Sequence, residues 1–343
     1  MKFPKVSIIV LNFNGINDTK KCLKSLLKTT YKNFQIFLVD NGSDKNHAEI
    51  LKKIFNSRKI HFIRLEKNLG FTGGNNLLMK QITDKYILLL NNDVEVPKDW
   101  LNPLVDIMEK NSKIAVVQPK ILWSRNKKYF DYAGACGGYI DIFGYPFTRG
   151  RIFSTIEKDT GQYDTVADIF WASGAAMMIR SSVLKKVGYF DEQFFNYMEE
   201  IDLCFRIRTF GYRVVCEPSS YVYHKVAGTA SRNERQKRFW EHRNNVLLII
   251  KNYPFLQLIY ILPIRMTMEY MSILYYLLTK RIDYALGALK SQVYLIYLVP
   301  KILLSRILQK KISGKSVQKL IFAGSIVQLY FVLKKRKFSD IIN

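Results

Sequence analysis

The chain has 343 residues, of which 48% are hydrophobic and 14% aromatic, so global disorder is excluded and there is material for one large domain or two modest ones. Against 28 Asp and Glu stand 53 Lys and Arg, a net charge of +25. That excess calls for an anionic partner: nucleic acid, a phospholipid surface or a phosphorylated substrate.

The opening "MKFPKVSIIVLNFNG" holds an apolar run, Val6 to Leu11, that is too short for a signal-peptide core and reads as a first strand. In "INDTKKCLKSLLKTT", Cys22, Leu23, Leu26 and Leu27 line one helical face, with Asn17 or Asp18 placed to cap it. "FQIFLVD" and "AEILKKIF" give a second strand and helix, "IHFIRL" and "NNLLMKQI" a third pair, and "YILLL" a fourth strand. Strands apolar on both faces and alternating with helices imply a largely parallel sheet covered by helices. Ligands gather at the carboxyl ends of such strands, here Asn12 to Asn14, Asp40 to Ser43 and Asn91 to Asp93. Residues 114–240 are mixed, and their stretch from "VADIFW" to "YVYH" reads strand, helix, loop, helix, strand.

Near residue 240 the composition changes, which divides the chain into 1–240 and a basic, apolar helical region, 241–343. The latter carries 16 basic and 4 acidic side chains. Its charge-free runs, Asn252 to Ile264, Tyr270 to Thr279, Ser291 to Pro300 and Leu320 to Leu333, fall short of the roughly 18 to 20 residues of a spanning helix. Apolar faces bounded by Lys and Arg suit helices lying in a bilayer interface. A packed helical subdomain or oligomer interface is the plainer reading, and a span from Asn252 to Thr279 with Arg265 and Glu269 paired is a third. The four cysteines, Cys22, Cys136, Cys204 and Cys216, have no CxxC spacing and read as reduced thiols of a cytoplasmic protein.

The candidate site residues lie at strand ends and one helix start. Asp40 either shapes the turn into Asn41-Gly42 or accepts a nucleobase N–H. "NLGFTGGNN", with Asn68, Gly70, Gly74 and Asn75, is a glycine-rich lead into a helix, suited to phosphate or simply flexible. In "LLLNNDVEV", Asn91 and Asp93 lean to one side of the sheet. Asp93 can hold a hard divalent cation and Asn92 a ribose or phosphate, or the tripeptide is a polar turn. Glu199, Glu200 and Asp202 open a helix, where acids favour the dipole or one serves as a general base. His224 ends another strand, as a metal ligand or a structural imidazole.

In order along the chain, "VSIIVLNFNG", "LVDNGSDK", "NLGFTGGNN", "LLLNNDVEV", "WASGAAMMIRSSVLKKVGYFDEQFFNYMEEIDLCFRIRTFGYRV" and "VYHKVAGTAS" resemble family-2 glycosyltransferases over about residues 4–250, and most closely the rhamnosyltransferase-like branch that builds bacterial and archaeal surface polysaccharides. The resemblance implies a GT-A fold, a nucleotide-diphospho-sugar donor, Mg²⁺ or Mn²⁺, and inversion at the anomeric carbon. By position, Asp40 would contact the base, with Asn12, Asn41 and the glycine loop around the donor. Asp93 would bind metal in a DxD-like element written Asn91-Asn92-Asp93, and His224 would lie near the metal or diphosphate. Glu200 would stand where the family often has a catalytic aspartate. The implied role is transfer of a sugar, with rhamnose one candidate, to a lipid-linked or growing surface glycan at the cytoplasmic face of the membrane. A processive synthase is the related alternative, but "QKRFW", Gln236 to Trp240, lacks the Gln-x-x-Arg-Trp spacing such enzymes usually carry. A basic nucleic-acid-binding protein is the alternative of another class. It is disfavoured because the sheet edge gathers Asp and Asn rather than Lys, Arg and aromatics.

Overall fold

The computed structural model describes residues 3–54, 57–225, 233–308, 317 and 320–342. The alternating segments of the amino-terminal third fold as expected. The strands are β1 (Val6–Asn12), β2 (Phe34–Asn41), β3 (Ile60–Leu65) and β4 (Tyr86–Asn91), and the helices are α1 (Ile16–Leu26), α2 (Lys45–Ile54) and α3 (Gly70–Met79). Short β5 (Val94–Glu95), α4 (Leu101–Lys110) and β6 (Ile114–Trp123) follow. Next come β7 (Gly138–Ile140), β8 (Pro146–Thr148), β9 (Arg151–Ile152) and β10 (Thr155–Ile156), which pair into a small antiparallel sheet. Then come β11 (Ala167–Asp168), β12 (Ala176–Arg180), α5 (Ser181–Val187), α6 (Glu199–Thr209) and β13 (Arg213–His224). The small sheet was not expected, because strands of two or three residues carry too few side chains to show alternation.

The main sheet runs β11-β13-β6-β12-β4-β1-β2-β3, with β5 against the end of β13. Its half from β4 to β3 is parallel. β12 lies antiparallel between β4 and β6, and β13 parallel to β6, so the sheet is mixed but mostly parallel. Period-2 alternation sorts the core. On β4, Tyr86, Leu88 and Leu90 face Leu23, Leu26, Trp100 and Leu104 of the α1/α4 layer. Ile87 and Leu89 face the layer of Leu78, Met79, Ile201 and Leu203. Register then aligns the polar strand ends, with Asn12 opposite Asp40 and Leu11 opposite Asn91.

Three local expectations change. α1 is capped by neither Asn17 nor Asp18. Its cap position is Gly15, and the Asn12 side-chain oxygen accepts the Gly15 N–H at 3.1 Å and the Thr19 hydroxyl at 2.8 Å, so a strand end does the capping. Leu27 lies beyond the helix and is exposed, while Thr19 joins the buried stripe instead. The glycine-rich segment is the opening of α3 itself rather than a loop before it.

The carboxyl-terminal region is helical: α7 (Glu234–Asn252), α8 (Phe255–Leu278) and α9 (Ile282–Leu308), then one π turn, Gln328–Val332. The composition change near residue 240 falls inside α7. Val246 to Ile250 of α7 share a core with α6 and the small sheet. Among the described residues no helix is long and apolar enough to cross a membrane.

Candidate active site

The polar ends of β1, β2 and β4 make a connected bed. Asn12 Nδ2 donates to Asp40 Oδ1 at 2.9 Å and lies 3.2 Å from the Ser43 hydroxyl oxygen, while Asn92 Nδ2 donates to Thr19 Oγ1 at 2.9 Å and lies 3.3 Å from Asn12 Oδ1. Asn12 and Asn92 therefore hold the bed together. Asp40 is fully buried, yet its Oδ2 has no hydrogen-bond partner. A dry carboxylate oxygen without a donor is costly, and a ligand N–H would satisfy it.

The β2–α3 junction is similarly braced. Asn41 donates to Asn68 Oδ1 and to the Gly70 carbonyl, both at 3.0 Å, and accepts the Leu69 N–H; Asn68 Oδ1 accepts the Gly70 N–H at 2.8 Å. Gly70 has φ +71, and a β-carbon there would collide with the Phe195 carbonyl. Gly74 lets Leu11 and the Asn41 amide approach α3. Asn75 is buried and donates to the Phe71 carbonyl of its own helix at 2.8 Å. In this structure Asn41, Asn68, Gly74 and Asn75 position backbone, and Asn91 is a half-buried strand-end residue whose N–H donates to Ala175 O at 3.0 Å.

β5 folds back on β13 and brings His224 to Asp93. His224 Nε2 lies 3.1 Å from Asp93 Oδ1, and its Nδ1 lies 2.9 Å from Asp131 Oδ1. All three side chains are buried. Burial alone would depress the imidazole, but the carboxylates of Asp131 and Asp93 outweigh it and raise its pKa to about 10. Asp131 had no sequence signal, being a lone acid in "YFDYAG" far from both partners in the chain. A cavity of about 260 Å³ opens beside Asp93, lined by Asp18, Lys21, Glu95, Ser124, Arg125 and Lys225. Lys225 is held by Asp18 at 2.8 Å. The lining balances three cations, Lys21, Arg125 and Lys225, against three carboxylates, Asp18, Glu95 and Asp93, so a diphosphate here would meet cations and, at Asp93, a place for a bridging divalent ion.

The donors fit a hard divalent ion as a partial site. Among the described residues no group of three or more His, Cys, Asp or Glu could hold a metal alone. Asp93 supplies one carboxylate, and His224 Nε2, 3.1 Å from Asp93 Oδ1, would become a second donor once the ion displaces the proton that the two carboxylates hold on the ring. Substrate phosphate oxygens and water would complete the shell.

The acids at the start of α6 separate by environment. Glu199 is buried, and desolvation first, then the neighbouring Glu200 charge, push its pKa well above the usual carboxylate range. Glu200 is raised to about 7, mainly by desolvation, against the N–H groups of its own residue and Gly174. Asp202 does not join them. Lys251 and Arg206, aided by Asn252, outweigh its burial and depress it to about 2, each at 2.9 Å. A carboxylate so weakly basic and so fully bonded is a structural anchor between α6 and α7. Glu200 is the acid left poised to titrate. Its neighbour Gly174 is followed by Ala175, the residue before β12, and the Ala175 carbonyl holds the Asn91 N–H, so Glu200 stands at the same sheet end as Asn91-Asn92-Asp93. The residues before it, Tyr197 and Met198, have φ +72 and +70, a strained approach that fixes the helix start. Of the segment "VYHKVAGTAS", residues 226–231 lie outside the described residues.

Residues 7–188 match Glycosyl transferase family 2, more than half of the chain. The chain belongs to glycosyl transferase family 2. It is 28% identical over 210 residues to the low-salt glycan biosynthesis hexosyltransferase Agl10 of Haloferax volcanii, covering 59% of this chain and 61% of that protein. To the N-acetylglucosaminyl-diphospho-decaprenol L-rhamnosyltransferase of Mycobacterium tuberculosis it is 22% identical over 260 residues, covering 71% and 83%. The chain spans less than two thirds of several curated relatives: the match covers 57% of the poly-beta-1,6-N-acetyl-D-glucosamine synthase of Staphylococcus epidermidis at 24% identity, over 73% of this chain. Among solved structures, GalNAc-T7 with UDP, GalNAc and Mn²⁺ superposes with a TM-score of 0.59 at 17% identity, over 73% of this chain and 48% of that one, which places this family-2 chain in the GT-A fold.

Proposed function

We propose that this glycosyltransferase moves a hexose, with rhamnose one candidate, from a nucleotide-diphospho-sugar to a hydroxyl of a lipid-linked or growing surface glycan, with inversion, at the cytoplasmic face of a membrane. The observation that carries the reading is the pairing of two acidic stations at one sheet end: Asp93 with His224 beside a cavity of mixed charge that includes Lys21, Arg125 and Lys225, and Glu200 across the Ala175–Asn91 backbone link.

The chain's own groups divide the work. Asp40 offers its unpaired oxygen to the base of the donor. Lys21, Arg125 and Lys225 receive the diphosphate and favour its departure by neutralising the charge that builds on it. Glu200 takes the proton from the acceptor hydroxyl as that oxygen attacks the anomeric carbon from the side opposite the leaving diphosphate, and one such displacement inverts the centre. Asp93 and His224 would hold Mg²⁺ or Mn²⁺, which when bound acts as a Lewis acid on the diphosphate. The rhamnosyltransferase relative, named for a diphospho-decaprenol acceptor, and the UDP-bound structural neighbour support the acceptor and donor classes.

The test is a panel of nucleotide sugars with Mn²⁺ or Mg²⁺, scored for nucleoside diphosphate release and, for the active donor, for the anomeric configuration of the product. Asp93→Ala and Glu200→Gln should each lower transfer about 10²-fold or more while remaining folded. Wild-type turnover by either variant would remove that residue from the mechanism.

A further inference from the structure

α8 is built inside out for a helix in water. Between Phe255 and Thr279 its charged residues are Arg265 and Glu269, and both are buried. They pair at 2.5 Å, Glu269 also meets His242 of α7 at 2.5 Å, and Arg265 donates to Asn245 of α7 at 2.8 Å. The opposite face shows Leu256 (76% exposed), Ile259, Tyr260, Ile264, Met271, Leu274, Tyr275 and Leu278. α9 continues this with Val293, Ile296 and Tyr297 exposed between Lys290 and Lys301. A monomer in water does not leave so large a contiguous apolar face uncovered, and the buried ion network forbids α8 from turning it inward.

We propose that the outer face of α8 and α9 lies in the plane of a bilayer surface rich in anionic lipid, as an interfacial hairpin that does not cross it. Three observations choose lipid over protein. Exposed charge around the face is mostly positive, with Lys280, Arg281, Lys290 and Lys301 against Asp283, which complements anionic headgroups. A second copy seated on its own two-fold would oppose these same cations. The tyrosines, with an apolar body and a polar tip, suit the headgroup boundary. The end of the π turn and the residues after it repeat the combination, with Phe331, Val332 and Leu333 exposed beside Lys334, Lys335 and Lys337.

This surface is tied to the chemistry through α7. Asn244 of α7 donates to the carbonyls of Asn196 and Tyr197 at 2.8 and 2.9 Å, and Trp240 stacks on Phe195 at 5.0 Å, so the docked helices brace the loop that delivers Glu200. Here the inference rests on the proposed transfer to a lipid-linked acceptor, which would reach Glu200 from the membrane on which α8 and α9 dock.

The experiment is flotation of the full chain with vesicles of phosphatidylcholine alone or with a quarter phosphatidylglycerol, at low and high salt, beside Leu256→Glu/Ile259→Glu/Leu274→Glu and Glu200→Gln. Wild type and Glu200→Gln should float with anionic vesicles, and the triple variant should partition at least tenfold less while melting at the same temperature and releasing nucleoside diphosphate at the wild-type rate. Equal flotation of the triple variant overturns the proposal. So does a lipid-free wild-type oligomer that the triple variant converts to monomer, because a second copy then covers the face. Loss of turnover in every protein with flotation intact would instead remove the transfer reading and leave the docking surface standing.

Discussion

His224 sits between two buried carboxylates of different duty. Asp93 faces the cavity, whereas Asp131 is fully buried, accepts the Ala133 N–H at 2.7 Å and meets the ring nitrogen turned away from Asp93. A carboxylate behind an imidazole fixes its orientation and raises its basicity toward a cation. Asp131→Asn keeps the oxygen for Ala133 but loses the charge. It should weaken Mn²⁺ binding about 10- to 100-fold by electron spin resonance titration in the presence of nucleoside diphosphate; unchanged affinity would make Asp131 a turn residue only. The raised imidazole pKa adds stability that is complete below its unfolded value near 6.5 and is lost as pH rises through about 10. Glu200 runs the other way. Raised to about 7, it favours the fold at low pH and opposes it increasingly from about 4.5 up through 7, because ionisation must occur in a dry place. Transfer should climb with pH through about 7, and the Glu200→Gln variant, though inactive, should melt higher than wild type at pH 8. A pH profile flat from 6 to 8 would mean that Glu200 is not the base.

At the scale of elements, legibility followed how locally each feature is encoded. β1, β2 and β4 announced themselves because buried parallel strands must be apolar on both faces and must then stop, and the stopping residues Asn12, Asp40 and Asn91 line up because the register leaves them no choice. Glu200 was legible as part of an acidic helix start. Its separation from Glu199 and Asp202 was not, because Lys251 and Asn252, which hold Asp202, come from a helix some fifty residues later. Asp131 was invisible for the same reason. The glycine-rich segment is legible as a lead into a helix, but the reason for its glycines is not, because it is contact at a distance: Gly70 admits the Phe195 carbonyl, and Gly74 admits Leu11. That contact yields a prediction. Gly70→Ala forces a β-carbon into a positive-φ position against the loop that leads to Met198 and Glu200. It should cost about 1–3 kcal/mol in urea unfolding and lower kcat more than donor KM. A KM-only effect would place Gly70 with the donor rather than with the base.

For the molecule as a whole, three carboxyl-terminal helices are held to one another and to the α6 layer by an apolar core on α7 and by buried polar groups, while the outer side of α8 and α9 is apolar. Glu269 anchors this inversion. It touches His242 of α7, Arg265 of its own helix and Gln292 of α9 at 3.2 Å, and although burial pushes its pKa up, Arg265 and then His242 hold it below the usual value. A buried pair of this kind adds little net stability over an apolar substitute, but breaking it strands a charge. Glu269→Gln leaves Arg265 buried beside a neutral amide and should cost about 3–5 kcal/mol in the carboxyl-terminal region. The double change Arg265→Met/Glu269→Met removes both charges and should recover most of that loss. Hydrogen exchange would locate the effect: amides of α7 and α8 lose protection in Glu269→Gln and regain it in the double variant, while those of β1 and β2 stay as in wild type. Uniform loss across the main sheet would mean that the helices and the sheet fold as a single unit. A single variant as stable as wild type would show that Arg265 finds another partner, and the fixed orientation of the α8 outer face would then need a different cause.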